Sequence, residues 1–306
     1  MNMAITAKEV QALREMTGVG MMECKKALVE TNGDMDKAVE YLREKGLAAS
    51  QKKAGRIAAE GAALATVIDG VGVVVEVNAE TDFVGKNELF VNFVKGVAAI
   101  VAKSNPADLD ALMATPYGNG RTVQEEQQEL VLVIGENIKV RRFARFDSNV
   151  SVAYVHAGGK IGVLVNLETD LDAEKVQEAG KDAAMQIAAL NPRFWDKSQV
   201  TQEVLDNEKK IMMAQMENDP KMAGKPEQVR EKIVMGKLNK FYAENCLLQQ
   251  EFVKDGSMTV EKYLAAAAKA LGGKITFKDA VRFEKGEGIE KKQENFADEI
   301  ASLVKG

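Results

Sequence analysis

One histidine, His156, and two cysteines, Cys24 and Cys246, are all that this 306-residue chain offers of the side chains most used for nucleophilic and metal chemistry near neutral pH. A lone imidazole with no Ser, Cys and acid spaced around it makes no catalytic constellation. His156, beside Ala157-Gly158-Gly159 at a predicted strand end, reads as an ordinary strand or surface residue. Two distant cysteines form neither a disulfide framework nor a metal pair, which fits a reducing compartment and indicates no metal site. A basic excess is also missing: 41 Lys and Arg stand against 46 Asp and Glu, a net charge of -5. That balance argues against a direct role on nucleic acid, where clustered cations supply most of the affinity, and points to protein or small-molecule partners. No run approaches the roughly 20 apolar residues of a membrane span. Met1 to Thr6 lead straight into a helix cap without the pattern of a secretory leader, so a soluble, cytoplasmic protein is expected. Phosphate-binding loops are lacking too. Gly18-Val19-Gly20 follows a helix rather than a strand and has Glu23 where a third glycine belongs, and neither Gly158-Gly159-Lys160-Ile161 nor Gly272-Gly273-Lys274-Ile275 has Ser or Thr after its lysine. No cofactor is expected.

What is present is modular. Thr6 and Glu9 form a capping box, with Ile5 and Val10 spaced as a hydrophobic staple. Three amphipathic helices follow: the first carries Val10, Leu13 and Met16, the second Met21, Cys24, Ala27 and Leu28, the third Met35, Ala38, Val39 and Leu42, with stops at Gly18-Val19-Gly20, Asn32-Gly33 and Gly46. Residues 1–46 therefore read as a three-helix bundle, and the Ala- and Lys-rich stretch 47–56 as a helical or extended tether. Beyond it the period changes to that of strands, with a hairpin turn at Asp69-Gly70, then a helix from about Glu88 to Ser104 bearing Phe90, Phe93, Val94, Val97 and Val101.

The second half echoes the first. Gly72-Val73-Val74-Val75 recurs as Gly162-Val163-Leu164-Val165, each followed by a Thr-Asp pair and a helix ending in Asn-Pro, and Ile138–Phe146 recurs as Ile275–Phe283. The expected fold class is α+β with a duplicated core, copies at 57–146 and 147–284, and a helical module at 285–306. A helical hairpin at about 201–250, from Thr201–Met216 and Pro226–Gln250, interrupts the second copy. Strand alternation places Arg142 opposite Arg141 and Arg145, as part of a solvated face. The Ala-rich helix Tyr263–Leu271 reads as packed closely on a sheet.

The most informative segment is Asn78-Ala79-Glu80-Thr81-Asp82-Phe83-Val84-Gly85-Lys86, which follows an apolar strand. A phenylalanine in such a loop is either folded back into the core or offered to a partner. Thr81, Asp82, Lys86 and Asn87 leave it little apolar company, which favours the second. The corresponding turn of the second copy has Leu171 and Asp172, so only the first tip carries an aromatic.

Four segments in one order, Leu13–Leu28, Thr81–Val84, Ile134–Ile138 and Gly286–Lys291, closely resemble the bacterial elongation factor Ts family across nearly the full length. The resemblance implies an N-terminal bundle similar to ubiquitin-associated domains, a duplicated core, a hairpin insertion and a C-terminal helical module. It implies a guanine nucleotide exchange factor for elongation factor Tu, without covalent chemistry of its own. By that analogy Thr81, Asp82, Phe83 and Val84 dislodge the partner's magnesium ion, and Leu13, Arg14, Thr17, Gly18, Val19, Met21 and Met22 meet its G domain. A bundle-core role for Leu13, Met16 and Met21 stands equally open. The resemblance also allows homodimerisation through the hairpin. Gly85 stands where the family commonly has Ala, and Ala79 where Cys is frequent; Gly85 is expected to loosen the loop. Competing readings are an interaction scaffold, indifferent to loss of Phe83, and a hydrolase or transferase, which would need a polar pocket the sequence does not advertise.

Overall fold

A computed structural model of the chain describes residues 5–118 and 120–290; the expected C-terminal module lies, beyond residue 290, outside the described residues. The first helix, α1 (Ala7–Thr17), starts where the capping box closes: Thr6 N–H donates to Glu9 Oε2 at 2.7 Å, and Glu9 N–H to Thr6 Oγ1 at 3.3 Å. Gly18 ends it at φ 72°. Helix α2 (Met21–Glu30) is followed by a turn through Asn32 and Gly33, both at positive φ, and by α3 (Met35–Lys53), whose N-cap Asp34 accepts the Lys37 N–H.

α3 does not stop at Gly46. It runs to Lys53, because Gly46 is buried against another helix: a Cβ there would sit 3.4 Å from the Gln128 carbonyl oxygen. A helix-interior glycine costs roughly 1 kcal/mol, and close helix packing offsets it. Most of the expected tether is therefore the end of α3.

The chain continues through β1 (Glu60–Ile68), β2 (Val71–Ala79), α4 (Glu88–Ser104), α5 (Leu109–Ala114), α6 (Val123–Ile134) and β3 (Lys139–Phe146). Asp69 and Gly70, at φ 50° and 81°, turn β1 into β2, the geometry a two-residue hairpin demands. The antiparallel sheet has the order β1-β2-β3. On one face Val73, Val75 and Val77 meet Phe90, Phe93, Val94, Val97 and Val101 of α4. α6 packs on α3, and its Leu132 and Val133 join the core of the bundle built from Val10, Leu13, Cys24, Leu28 and Leu42. The first three helices thus close their core with a fourth from the sheet region.

Next come β4 (Val150–His156), β5 (Ile161–Thr169), α7 (Gln177–Leu190), α8 (Gln202–Glu217), α9 (Pro220–Ala223), α10 (Glu227–Asn245), β6 (Glu251–Phe252), β7 (Asp255–Thr259), α11 (Val260–Leu271) and β8 (Ile275–Glu284). The second three-stranded sheet has the order β4-β5-β8, with α7 and α11 over Val163, Val165 and Leu167. α8 and α10 pair around Met216, Val234 and Leu238. α10 ends at Asn245, earlier than the pattern suggested, because Cys246 forms a bridge with Phe194.

The sheets stack face to face through Ala63, Ala65, Val74, Leu164 and Phe283. Two glycines at matching places in the central strands set their approach. A Cβ on Gly72 would lie 2.5 Å from Ser151, and one on Gly162 would lie 3.1 Å from the Ala63 carbonyl oxygen. Each ladder carries an irregularity, between Glu76 and Val77 in one and between Asn166 and Leu167 in the other. The first inserts Arg141 as an extra residue. It thereby overturns the simple alternation, since Arg141 and Arg142 both reach the buried Glu76.

Candidate functional site: the loop between β2 and α4

Both ends of the loop are buried: Ala79 at 0% and Val84 at 5% exposure belong to the core beneath α4. Phe83 lies between them at 81% exposure, more than any other large hydrophobic side chain among the described residues. Val84 opens a single 3-10 turn, Val84–Lys86, whose first hydrogen bonds run from Lys86 N–H to Phe83 O (3.1 Å) and from Asn87 N–H to Val84 O (2.9 Å). Asn87 then caps α4 by accepting the Leu89 N–H at 2.9 Å. Phe83 is consequently fixed at its backbone, at φ -61° and ψ -41°, while its ring stands in solvent. Leaving such a ring unburied forgoes about 2–3 kcal/mol of hydrophobic stabilisation.

Gly85 does not loosen this loop. A Cβ there would lie 2.9 Å from the Gly61 carbonyl oxygen, so the glycine lets the turn press against the start of β1. A second brace comes from the turn between α6 and β3. Thr81 donates its backbone N–H to Glu136 Oε2 at 3.0 Å and its hydroxyl to Glu136 Oε1 at 2.7 Å. Glu80 accepts the Asn137 N–H at 2.6 Å, and the Asn137 amide donates to the Arg56 carbonyl at 2.8 Å. Glu80, Glu136 and Asn137 received no role from the sequence. The one available signal was that Glu136 and Asn137 fall inside the Ile134–Ile138 segment.

Of the four loop residues singled out, Thr81, Asp82 and Phe83 are exposed, and Val84 points inward as an anchor. The bundle residues divide in the same way. Leu13 and Val19 are buried, and Thr17 spends its hydroxyl on the Leu13 carbonyl (2.8 Å). Arg14, Gly18, Met21 and Met22 are exposed. Met16, at 61%, and Met21, at 39%, do not fill the bundle core. Leu13 and Val10 face the bundle core, to which Leu132 and Val133 of α6 are added, and Met16 does not.

Elsewhere His156 is exposed, and its Nδ1 lies 2.9 Å from the Tyr154 hydroxyl. Both thiols are buried; burial raises the Cys24 thiol above its ordinary value and pushes Cys246 up to about 11, disfavouring a nucleophilic thiolate at either. Among the described residues, no helix is long and apolar enough to cross a membrane.

Fold and site together define an α+β protein whose outstanding surface feature is an aromatic-tipped, braced loop. The family model described as Elongation factor TS matches residues 80–287. Curated relatives named Elongation factor Ts match over nearly the whole chain. That of Clostridium perfringens strain SM101 is 51% identical over 303 residues, 98% of this chain and 99% of the relative; that of Magnetococcus marinus is 46% identical over 307 residues, 99% and 100%. The relative from Syntrophotalea carbinolica is 48% identical, again covering 99% and 100%. The chain belongs to the elongation factor Ts family, and so to the elongation factors of protein biosynthesis.

Proposed function

We propose that this chain is a guanine nucleotide exchange factor that binds elongation factor Tu in the cytoplasm and promotes release of its GDP. The observation that carries the reading is Phe83, 81% exposed on a loop braced at both ends. A GTPase holding GDP at nanomolar affinity has about 12 kcal/mol of binding free energy, much of it from magnesium and the donors around the phosphates. An exchange factor supplies only the difference between its affinities for the nucleotide-free and nucleotide-bound partner, and by reciprocity incoming nucleotide expels it. Asp82 and Phe83, presented on a rigid backbone, are suited to wedge the partner's phosphate-binding region into a geometry that holds magnesium poorly. Without the divalent charge the phosphates are weakly retained. Exposed Met16, Met21 and Met22 offer the bundle an adaptable apolar face for docking.

The test is release of fluorescent GDP from elongation factor Tu. Phe83→Ala should lower the maximal acceleration by about 30-fold or more, as loss of a roughly 2 kcal/mol anchor would. Because the ring is solvent-exposed, Tm should stay unchanged and binding to nucleotide-free partner largely persist. No acceleration by the unmodified protein would overturn the exchange reading and leave a scaffold.

A further inference from the structure

The brace between the loop and the α6–β3 turn is reciprocal. Glu136 takes the Thr81 backbone N–H, while Glu80, the residue before Thr81, takes the backbone N–H of Asn137, the residue after Glu136. Each segment lends a carboxylate to the other's main chain, across 55 and 57 positions of sequence. Glu136 does more than Glu80, because its second oxygen also accepts the Thr81 hydroxyl at 2.7 Å. One carboxylate thus fixes the direction of the chain and the side-chain rotamer of the residue two before Phe83. Its own position is rigid. Gly135, in the left-handed region at φ 87°, caps α6 immediately before it, and α6 is gripped by the bundle through Leu132 and Val133. Charge-assisted hydrogen bonds of this kind are short and directional, and without them Thr81 loses both of its bonds to the α6–β3 turn, which then holds the loop only one residue earlier, through Glu80 and Asn137.

From this geometry we infer that Glu136 is a positioning residue for nucleotide exchange: through Thr81 it holds Asp82 and Phe83 in the orientation that acts on the GTPase. The inference rests on the exchange reading above. Glu136 contributes little to docking, for which the bundle presents its own exposed methionines. Its loss should therefore appear in the rate at saturation and not in the concentration needed to reach it.

The experiment titrates elongation factor Tu loaded with fluorescent GDP against the full chain and against Glu136→Ala, Glu136→Gln and Thr81→Val, with amide hydrogen exchange of the free proteins measured in parallel. Glu136→Ala should lower the maximal release rate by about tenfold, the loss expected for charge-assisted hydrogen bonds, with the half-saturating concentration held within about twofold. Glu136→Gln, keeping one acceptor oxygen, should recover part of that loss. Thr81→Val, an exposed substitution of matching shape, should reproduce part of it without removing the carboxylate. The Thr81 amide should exchange faster in Glu136→Ala, with strand amides of β2 unaffected. An undiminished maximal rate in Glu136→Ala, or a loss confined to the half-saturating concentration, overturns the positioning role. If the unmodified chain gives no acceleration, the exchange reading itself falls and takes this inference with it.

Discussion

Glu129 shows how a single side chain on α6 carries a pH dependence of its own. It is 7% exposed, and its Oε1 has no hydrogen-bond partner among the described residues. Burial raises its carboxyl above the ordinary value, Arg121 and Arg43 oppose the shift, and Glu126 adds to it. A carboxyl that holds its proton more tightly when folded makes folding most favourable below its unfolded value, and that advantage is lost as pH rises through the raised one. Glu129→Gln should therefore raise Tm near neutral pH, and the gain should shrink on acidification. Thermal melts between about pH 4 and pH 8 check this; a gain independent of pH would assign the effect to packing. Arg121 keeps a partner in the variant, because it also reaches Glu126 at 3.1 Å.

At the scale of elements, the seam between α3 and α6 decides how the bundle is held. Gly46 sits where the helices approach, with room for one methyl group in ordinary contact with Gln128. Gly46→Ala should stabilise the protein by up to about 1 kcal/mol through helix propensity. Gly46→Leu should destabilise it by about 1–3 kcal/mol by forcing the helices apart. The reversal of sign, read from denaturant midpoints, separates a packing glycine from a helix stop, which would tolerate both poorly. The same seam adds Leu132 and Val133 of α6 to the core that holds Val10 and Leu13, while Met16 and Met21, for which a core role stood open, stay exposed. A helix stripe tells which residues can face inward together, but tertiary packing selects which of them do, and α6 (Val123–Ile134) lies far downstream of the bundle, a separation local patterning does not reach.

At the scale of the whole molecule, Glu76 ties β2, β3 and the turn after β8 into one node. It is fully buried between the sheets and accepts from Arg141 (2.9 Å), Arg142, Asn78 (3.0 Å) and the Gly286 N–H (2.8 Å). Burial by itself would raise its carboxyl, but the Gly286, Asn78, Arg142 and Arg141 hydrogen bonds together hold it below the ordinary carboxylate range. Its contribution is present above the unfolded value and is lost as pH falls through the folded one, the opposite sign to Glu129. Glu76→Ala should cost about 1–3 kcal/mol, because it leaves the Gly286 N–H unpaired in a buried place and removes one acceptor from each arginine, while Arg142 keeps the Glu287 carboxylate and Arg141 the Glu287 carbonyl. It should also flatten the acid limb of the stability curve, as urea melts at several pH values would show.

Features dictated by neighbours in the chain were legible from the residues alone: the Thr6–Glu9 box, the Asp69-Gly70 turn, the span of α4 and the polar company that left Phe83 no core to join. Each is decided by a few consecutive side chains, whose capping, φ preference or periodicity has one low-energy answer. Tertiary structure decided the rest. A bulge set by pairing with β2 turned Arg141 and Arg142 to one side, α6 completed the core of the bundle, and the α6–β3 turn supplied the carboxylate that aims the loop. These depend on groups 55 or more residues apart, where loop closure and packing, not local propensity, determine which partners meet.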